Sequence, residues 1–378
     1  MRFLSTLAVV FFVGETYATY RDFGIPVSSA TVQVQAFNVV NVTFVNGPDA
    51  SLIGPVLPGR GSVPFPNYAF LVTHKNNTRI VWDLGLRADT ANYAPSIAGL
   101  FTAGIITVQP GAKGMTDLLT QGGVPLSSIN QVIWSHAHFD HVGDMSKFPS
   151  TTQLVIGSET NTATFPQTAG ASLLASDFAN RTVTKIDFSK ANHTFGNLKA
   201  IDYFGDGSFY LVDTPGHFPG HMSALARVTP TSFVYLGSDT YHNAAEMRPR
   251  PEFQKNYPCP AHLVAEAKTA ISTDFFWSPK TTDGAFDVVS RADPLMVASD
   301  LPTSLTADPI TAGISLAKVA AFDADPDFFV VVAHDLSLRS SLPYFPKTLN
   351  SWQTSKLKQN TVWNFVDQTN PAFLLSPL

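Results

Sequence analysis

A single cysteine, Cys259, stands in 378 residues, which excludes an intrachain disulfide, a thiolate metal cage and a Cys-x-x-Cys redox pair. With no partner to make it a nucleophile, Cys259 reads as a small core or loop residue. Runs of basic residues are missing as well. The 24 Lys and Arg against 29 Asp and Glu give a formal net charge of −5, which offers no footprint for phosphate backbones or anionic lipid, so nucleic acid is not an expected partner. No internal repeat or low-complexity tract is visible, and the apolar stretch at 3–14 is too short to span a bilayer. Charged residues make up only 14% of the chain and hydrophobic ones 44%, so the chain has apolar material for a substantial core and is not of the disordered class.

The chain starts Met1-Arg2, runs apolar to Gly14, and leaves that stretch through the small residues Thr16 and Ala18. A basic start, a short apolar core and a small-residue exit predict a signal peptide over residues 1–18, cleaved after Ala18, and a secreted mature chain over 19–378. Four Asn-x-Ser/Thr sequons, at Asn41, Asn76, Asn180 and Asn192, are candidate glycosylation sites of such a protein.

Short runs rich in Val, Ile, Phe and Tyr, broken by Gly, Pro, Asn and Asp, predict strands at 31–45, 68–74, 79–83, 131–135, 153–156, 199–204, 209–213, 223–228, 232–236 and 328–333. Helical patterns lie at 114–120, 171–178, 262–272 and 311–321. Sheets with interspersed helices point to α/β or layered α+β architecture. Residues 249–260 and 278–309 are rich in Pro, Asp, Ser and Thr, so the stretch of about 243–326 reads as an insertion capping an active site.

Chemistry concentrates where the 131–135 run ends, at His136-x-His138-x-Asp140-His141. In an extended loop His136 and His138 point the same way. If a helix follows, His141 lies about one turn beyond His138 and faces the same hollow. Asp140 adds a hard oxygen to borderline imidazoles, a mixture suited to Zn²⁺ or a similar first-row ion. Four such groups exceed what one open catalytic site draws from a single segment, so two ions are implied. Three more apolar runs end on a ligand type: Thr214-Pro-Gly-His217, Gly237-Ser-Asp239 and Val332-Ala-His334. Alone, each is an ordinary strand-end histidine or turn-forming aspartate; their value is joint, because one edge of a sheet is where a scaffold presents functional groups.

These motifs together, with Asp83-Leu-Gly85 upstream, resemble the metallo-β-lactamase superfamily, and Thr214-Pro-Gly-His217-Phe-Pro-Gly-His221 with its distance to Asp239 is most similar to the N-acyl homoserine lactonases. The resemblance runs from about Tyr68 to Asp335. It implies a four-layer αββα sandwich of the α+β class, in a single catalytic domain with the inserted cap. It also implies that His136, His138 and His217 bind one divalent metal ion, that Asp140, His141 and His334 bind a second, and that Asp239 bridges the two, with zinc the expected metal. Asp83 and His221 would stand behind the ligands, Asp83 orienting an imidazole. The implied activity is hydrolysis of a small-molecule lactone by a metal-bridging hydroxide, with Asp239 moving the proton; an ester or thioester hydrolase of the same fold is the alternative. The lactonases place a tyrosine shortly after the bridging carboxylate as an oxyanion donor. Here Tyr241 is two residues beyond Asp239 and His242 occupies the family position, so Tyr241 is either that donor or a packed aromatic. His74, His193 and His262 belong to no motif and read as surface or loop histidines. Phe65, Phe101, Phe275, Phe276 and Trp277 are candidates for an apolar substrate wall.

Overall fold

A computed structural model describes residues 20–45, 48–60, 62–276 and 284–378; the expected signal peptide and Trp277 lie outside the described residues. Two sheets carry the fold. One has seven strands in the order Val183–Ile186, Gln153–Gly157, Gln131–Ile133, Arg79–Trp82, Pro64–His74, Val32–Phe44 and Ile106–Val108. The other has six, ordered His193–Phe195, Leu198–Asp202, Phe209–Asp213, Met222–Arg227, Phe233–Ser238 and Phe328–Val332.

The near-continuous apolar runs follow from burial on both faces of each sheet. In Phe328–Val332, Phe329 and Val331 turn into the core between the sheets, while Phe328, Val330 and Val332 meet the outer helices. The alternation repeats in Phe209–Asp213 and, in the first sheet, with Ile80 and Trp82 inward and Val81 outward. Helix Met115–Gln121 covers the outer face of the seven-stranded sheet through Met115 and Leu119, and helix Pro309–Ala324 covers the other through Leu316, Val319 and Phe322. The result is the expected layering of helix, sheet, sheet and helix.

Some local expectations change. Of residues 171–178 only Ala175–Phe178 is helical, because Leu173–Leu174 extends into a two-stranded ladder with Thr164–Phe165. Helix Pro95–Thr102, whose proline occupies a first-turn position, was not anticipated. His74 is buried and pairs with Asp206 at 2.9 Å rather than lying on the surface.

Between the parallel strands Phe233–Ser238 and Phe328–Val332 the chain detours through helices Pro251–Asn256, Ala261–Ala270 and Pro309–Ala324. This detour is tied to the N-terminal region by the pairing of Val297–Ala298 with Ile53–Gly54 and by the amides of Ser299 and Leu305, which donate to the carbonyls of Leu52 and Ser51. The end of helix Pro309–Ala324 is clasped by fully buried Lys358, whose Nζ donates to the carbonyls of Asp323, Asp325 and Phe328 at 2.6 to 2.8 Å. No described helix is long and apolar enough to cross a membrane.

Candidate metal centre

Every motif residue leaves the C-terminal end of a strand. Arg79–Trp82, Gln131–Ile133 and Gln153–Gly157 run parallel, as do Phe233–Ser238 and Phe328–Val332, so Asp83, the His136 loop, Asp239 and His334 emerge along one rim. His138 precedes the one-turn helix Phe139–Val142, which carries Asp140 and His141. His217 arrives on the loop after Phe209–Asp213. That loop is pressed against helix Pro309–Ala324 at Gly216, whose φ of +124° and backbone-on-backbone contact leave no room for a Cβ.

The seven expected ligands converge. His138 Nδ1 lies 3.0 Å from both His136 Nε2 and His217 Nε2. Asp239 Oδ2 is 3.3 Å from His217 Nε2 and 3.6 Å from His136 Nε2. The other oxygen, Oδ1, is 3.2 Å from His141 Nε2 and 3.4 Å from His334 Nε2, and His334 Nε2 is 3.4 Å from Asp140 Oδ2. Asp239 thus turns one oxygen toward each of two ligand groups. Four donors about 2.0 to 2.2 Å from a tetrahedral ion would stand roughly 3.3 to 3.6 Å apart, close to the spacings present. His141 Nε2 and Asp239 Oδ1 are buried with no hydrogen-bond partner, as expected of atoms meant for a cation. The residues therefore fit a pair of metal ions.

The electrostatics divide the two groups. Burial, reinforced by neighbouring imidazoles, holds His136 and His138 well below the usual histidine range, and burial takes His217 down to about 3, keeping lone pairs free. Burial would also lower His141, but the carboxylates of Asp239, Asp83 and Asp140 outweigh it and raise it. Asp239 resists its own burial and stays ionised because His141 and His334 face it.

Behind the ligands stands a set of orienting contacts. Asp83 Oδ2 accepts from His141 Nδ1 at 2.9 Å and from Ser135 Oγ at 2.8 Å, while Oδ1 accepts the Ser135 amide at 2.7 Å. His136 Nδ1 meets Ser135 Oγ at 3.0 Å, His334 Nδ1 donates to the Pro66 carbonyl at 2.9 Å, and His217 Nδ1 lies 3.4 Å from Thr306 Oγ1. His221 presents no atom to the ligand groups but packs behind them, its ring 5.2 Å from that of His136 and 5.6 Å from that of His217; its Nδ1 donates to the Thr214 carbonyl at 2.7 Å and its Nε2 accepts the Asp239 amide at 3.2 Å, fixing the turn that presents the carboxylate.

Tyr241 does not reach the site. Its ring is packed in the apolar core and its hydroxyl donates to Asp335 Oδ2 at 3.2 Å, which removes it as an oxyanion donor. The next residue, His242, faces inward instead, with Nε2 3.4 Å from Asp239 Oδ2 and its ring stacked on His334 at 5.5 Å. Its place three residues after Asp239 was visible in the sequence; the direction of its side chain was not.

Over the cluster lies a cavity of about 190 Å³ walled by Phe44, Leu52, Phe65, Ile97, Leu100 and Leu305 among others, and no described Lys or Arg lines it. Of the expected wall residues Phe65 is present. Phe101 is instead stacked on Tyr93, Phe276 is in the core and Phe275 is exposed. The wall comes from strands Val32–Phe44 and Pro64–His74, the loop between them and helix Pro95–Thr102, with Leu305 from the detour between strands Phe233–Ser238 and Phe328–Val332.

A family model described as the metallo-beta-lactamase superfamily matches residues 62–228. The metallo-hydrolase mfmC of Annulohypoxylon moriforme is 36% identical over 92% of this chain and 90% of its own length. Gamma-lactamase FDB1 of Fusarium pseudograminearum is 32% identical over 92% of this chain and 84% of its own. The chain also matches 38% of a longer protein, the cytochrome P450 monooxygenase mpaDE of Penicillium brevicompactum, at 36% identity. Among solved structures, a B. thuringiensis AiiA variant with N-decanoyl-L-homoserine bound at its active site superposes with a TM-score of 0.54 at 16% identity, covering 84% of this chain and 99% of that one.

Proposed function

The chain belongs to the metallo-β-lactamase superfamily and is a hydrolase, and we propose that it is a secreted enzyme that opens lactone rings with two divalent metal ions, zinc by its donor set. The observation that carries this reading is the division of Asp239 between two three-residue groups beneath an apolar cavity. His136, His138 and His217 would hold one ion, and Asp140, His141 and His334 the other, with Asp239 shared. When bound, such ions polarise a carbonyl oxygen and make hydroxide available from water at neutral pH.

The chain's own residues supply the rest. Asp239 takes the proton released as water adds to the carbonyl carbon and passes it to the ring oxygen as the C–O bond breaks, giving a hydroxy acid. The Phe44 and Phe65 side of the cavity shields the acyl group from water, and the absence of described cationic lining residues favours a neutral substrate. The gamma-lactamase name of one relative and the N-hexanoyl-L-homoserine product bound in an N-acyl homoserine lactone hydrolase of similar fold both concern cyclic acyl compounds or their ring-opened forms, which supports a ring-opening reaction. Secretion rests on the pattern of residues 1–18; Asn76, Asn180 and Asn192 are exposed, whereas Asn41 is half-buried and its amide donates to Gln109.

The test is elemental analysis followed by a panel of acyl lactones, γ-lactams and open-chain esters and thioesters, assayed by acid release. Two metal equivalents per chain and lactone opening are expected, with turnover nearly abolished by His138→Ala. Hydrolysis of the open-chain compounds with no lactone opened would replace this reading by the esterase one.

A further inference from the structure

Six polar side chains line the cavity among the described residues: His138, Asp140, His217, Asp239, His242 and His334. Five belong to the seven expected ligands, and His242 is the sixth. Asp239, His242 and His334 present ligand atoms within 4.8 Å of one another, so a metal-binding role for His242 is the competing assignment. The surroundings of the ring argue against it. Metal-binding histidines commonly have their second nitrogen fixed by a hydrogen-bonding partner, and four of the five expected ligand histidines, His136, His141, His217 and His334, have such a neighbour in Ser135, Asp83, Thr306 and the Pro66 carbonyl, His138 being the exception. Neither ring nitrogen of His242 has a hydrogen-bond partner among the described residues, and its approach to Asp239, at 3.4 Å, is longer than a charge-assisted bond.

The ring is nonetheless held in place. Glu246 Oε1 accepts the His242 amide at 2.6 Å and the Asn243 amide at 2.9 Å, closing a capping box that fixes the backbone. The ring plane lies within 6° of that of His334. A positioned imidazole with an unspent N–H, facing an apolar cavity beside the reacting carboxylate, is suited to contacting a substrate oxygen.

Resting on the hydrolase reading above, we propose that His242 is a catalytic residue outside the metal set, which donates a hydrogen bond to an oxygen of the substrate ester group as charge develops there. A neutral imidazole suffices for this donation, and no proton need be transferred. Removal of one such preorganised donor costs about 100-fold or more in kcat.

Two variants test it on whichever substrate the wild type turns over. His242→Phe keeps the ring and its stacking but lacks the N–H; His242→Gln keeps a donor of similar reach. The expected result is a fall of about 100-fold in kcat with little change in KM for the Phe variant, recovery to within about tenfold of wild type for the Gln variant, and wild-type Zn²⁺ affinity by chelator competition for both. Loss of a metal equivalent, or Zn²⁺ binding weakened tenfold in the Phe variant, would make His242 a ligand and overturn the proposal. A Phe variant within threefold of wild type, or a Gln variant as slow as Phe, would overturn it as well. Failure of the lactonase reading shows in the wild-type substrate panel and is distinguishable from each of these ratios.

Discussion

Replacing Asp83 by Asn probes how the two metal positions differ. Asp83 is 1% exposed and sits at φ +58°, a left-handed conformation that Asn tolerates better than other replacements except Gly. The Asn carbonyl can still accept the Ser135 amide, now 2.7 Å from Oδ1. The other oxygen becomes an NH₂ group facing His141 Nδ1 at the present 2.9 Å, so two donors meet. Relief requires His141 to lose its partner or to place its proton on Nε2, the nitrogen aimed at Asp239, and either change weakens the group of Asp140, His141 and His334. Outer partners of metal ligands are worth 10- to 100-fold in affinity, equivalent to about 1.4 to 2.7 kcal/mol. No residue of the group of His136, His138 and His217 bonds Asp83 directly; the links run through Ser135 and through Ser238 beside the shared Asp239, so this group is expected to keep most of its affinity. Titration of the metal-free protein with Zn²⁺ against a chromophoric chelator should therefore resolve two classes in the variant, one little changed and one weakened 10- to 100-fold. If both classes stay within twofold of wild type, or both weaken equally, Asp83 does not act through His141. Asp83→Ala is less informative, because it strands several buried donors at about 1 to 3 kcal/mol each and threatens the fold itself.

Asp177 is buried and faces Asp144; burial first and that neighbour second push its carboxyl up to about 7 from 3.8. The folded state then binds this proton more tightly than the unfolded one, so the group's stabilising effect is complete below about pH 4 and is lost as pH rises to 7, by at most about 4 kcal/mol. Asp177→Asn should gain on wild type in urea midpoint between pH 5 and pH 8; equal differences at the two pH values would refute the assignment. Gly216→Ala would set a Cβ 2.1 Å from the Ala312 amide nitrogen, forcing the His217 loop off the start of helix Pro309–Ala324. A melting temperature lowered by several degrees and Zn²⁺ lost first from the group containing His217 are expected, and a variant with wild-type values for both would show that the loop yields without consequence.

What could be read from the sequence, and what could not, follows from how far a local pattern reaches. His136, His138, Asp140 and His141 lie in one segment, so helix and strand geometry bring them together without knowledge of the fold. Their partners His217, Asp239 and His334 come from the second sheet, and each three-residue group draws on both sheets. No periodicity pairs two sheets, and it was the family motifs that supplied that link. The strand patterns succeeded because both faces of each sheet are buried; they failed at 171–178, where short apolar runs do not separate a strand from a helix.

Of the two readings left open for Tyr241 the structure shows the packed aromatic, with His242, at the family position, turned to the cavity, and the cause is local. Side-chain direction alternates along a strand only while the backbone stays extended. The strand ends at Ser238, whose φ is +48°, and a turn follows through Thr240, whose amide donates to the Gly237 carbonyl. Were the strand to continue extended past Asp239, Tyr241 would face the same side as the carboxylate. The left-handed residue and the turn reset the count, so Tyr241 swings to Asp335 and His242, held by Glu246, returns to the cavity. The bend that aims Asp239 between the two ligand groups is also the bend that exchanges a tyrosine for a histidine at the substrate's side, so altering the Ser238 turn should disturb the metal and substrate contacts together.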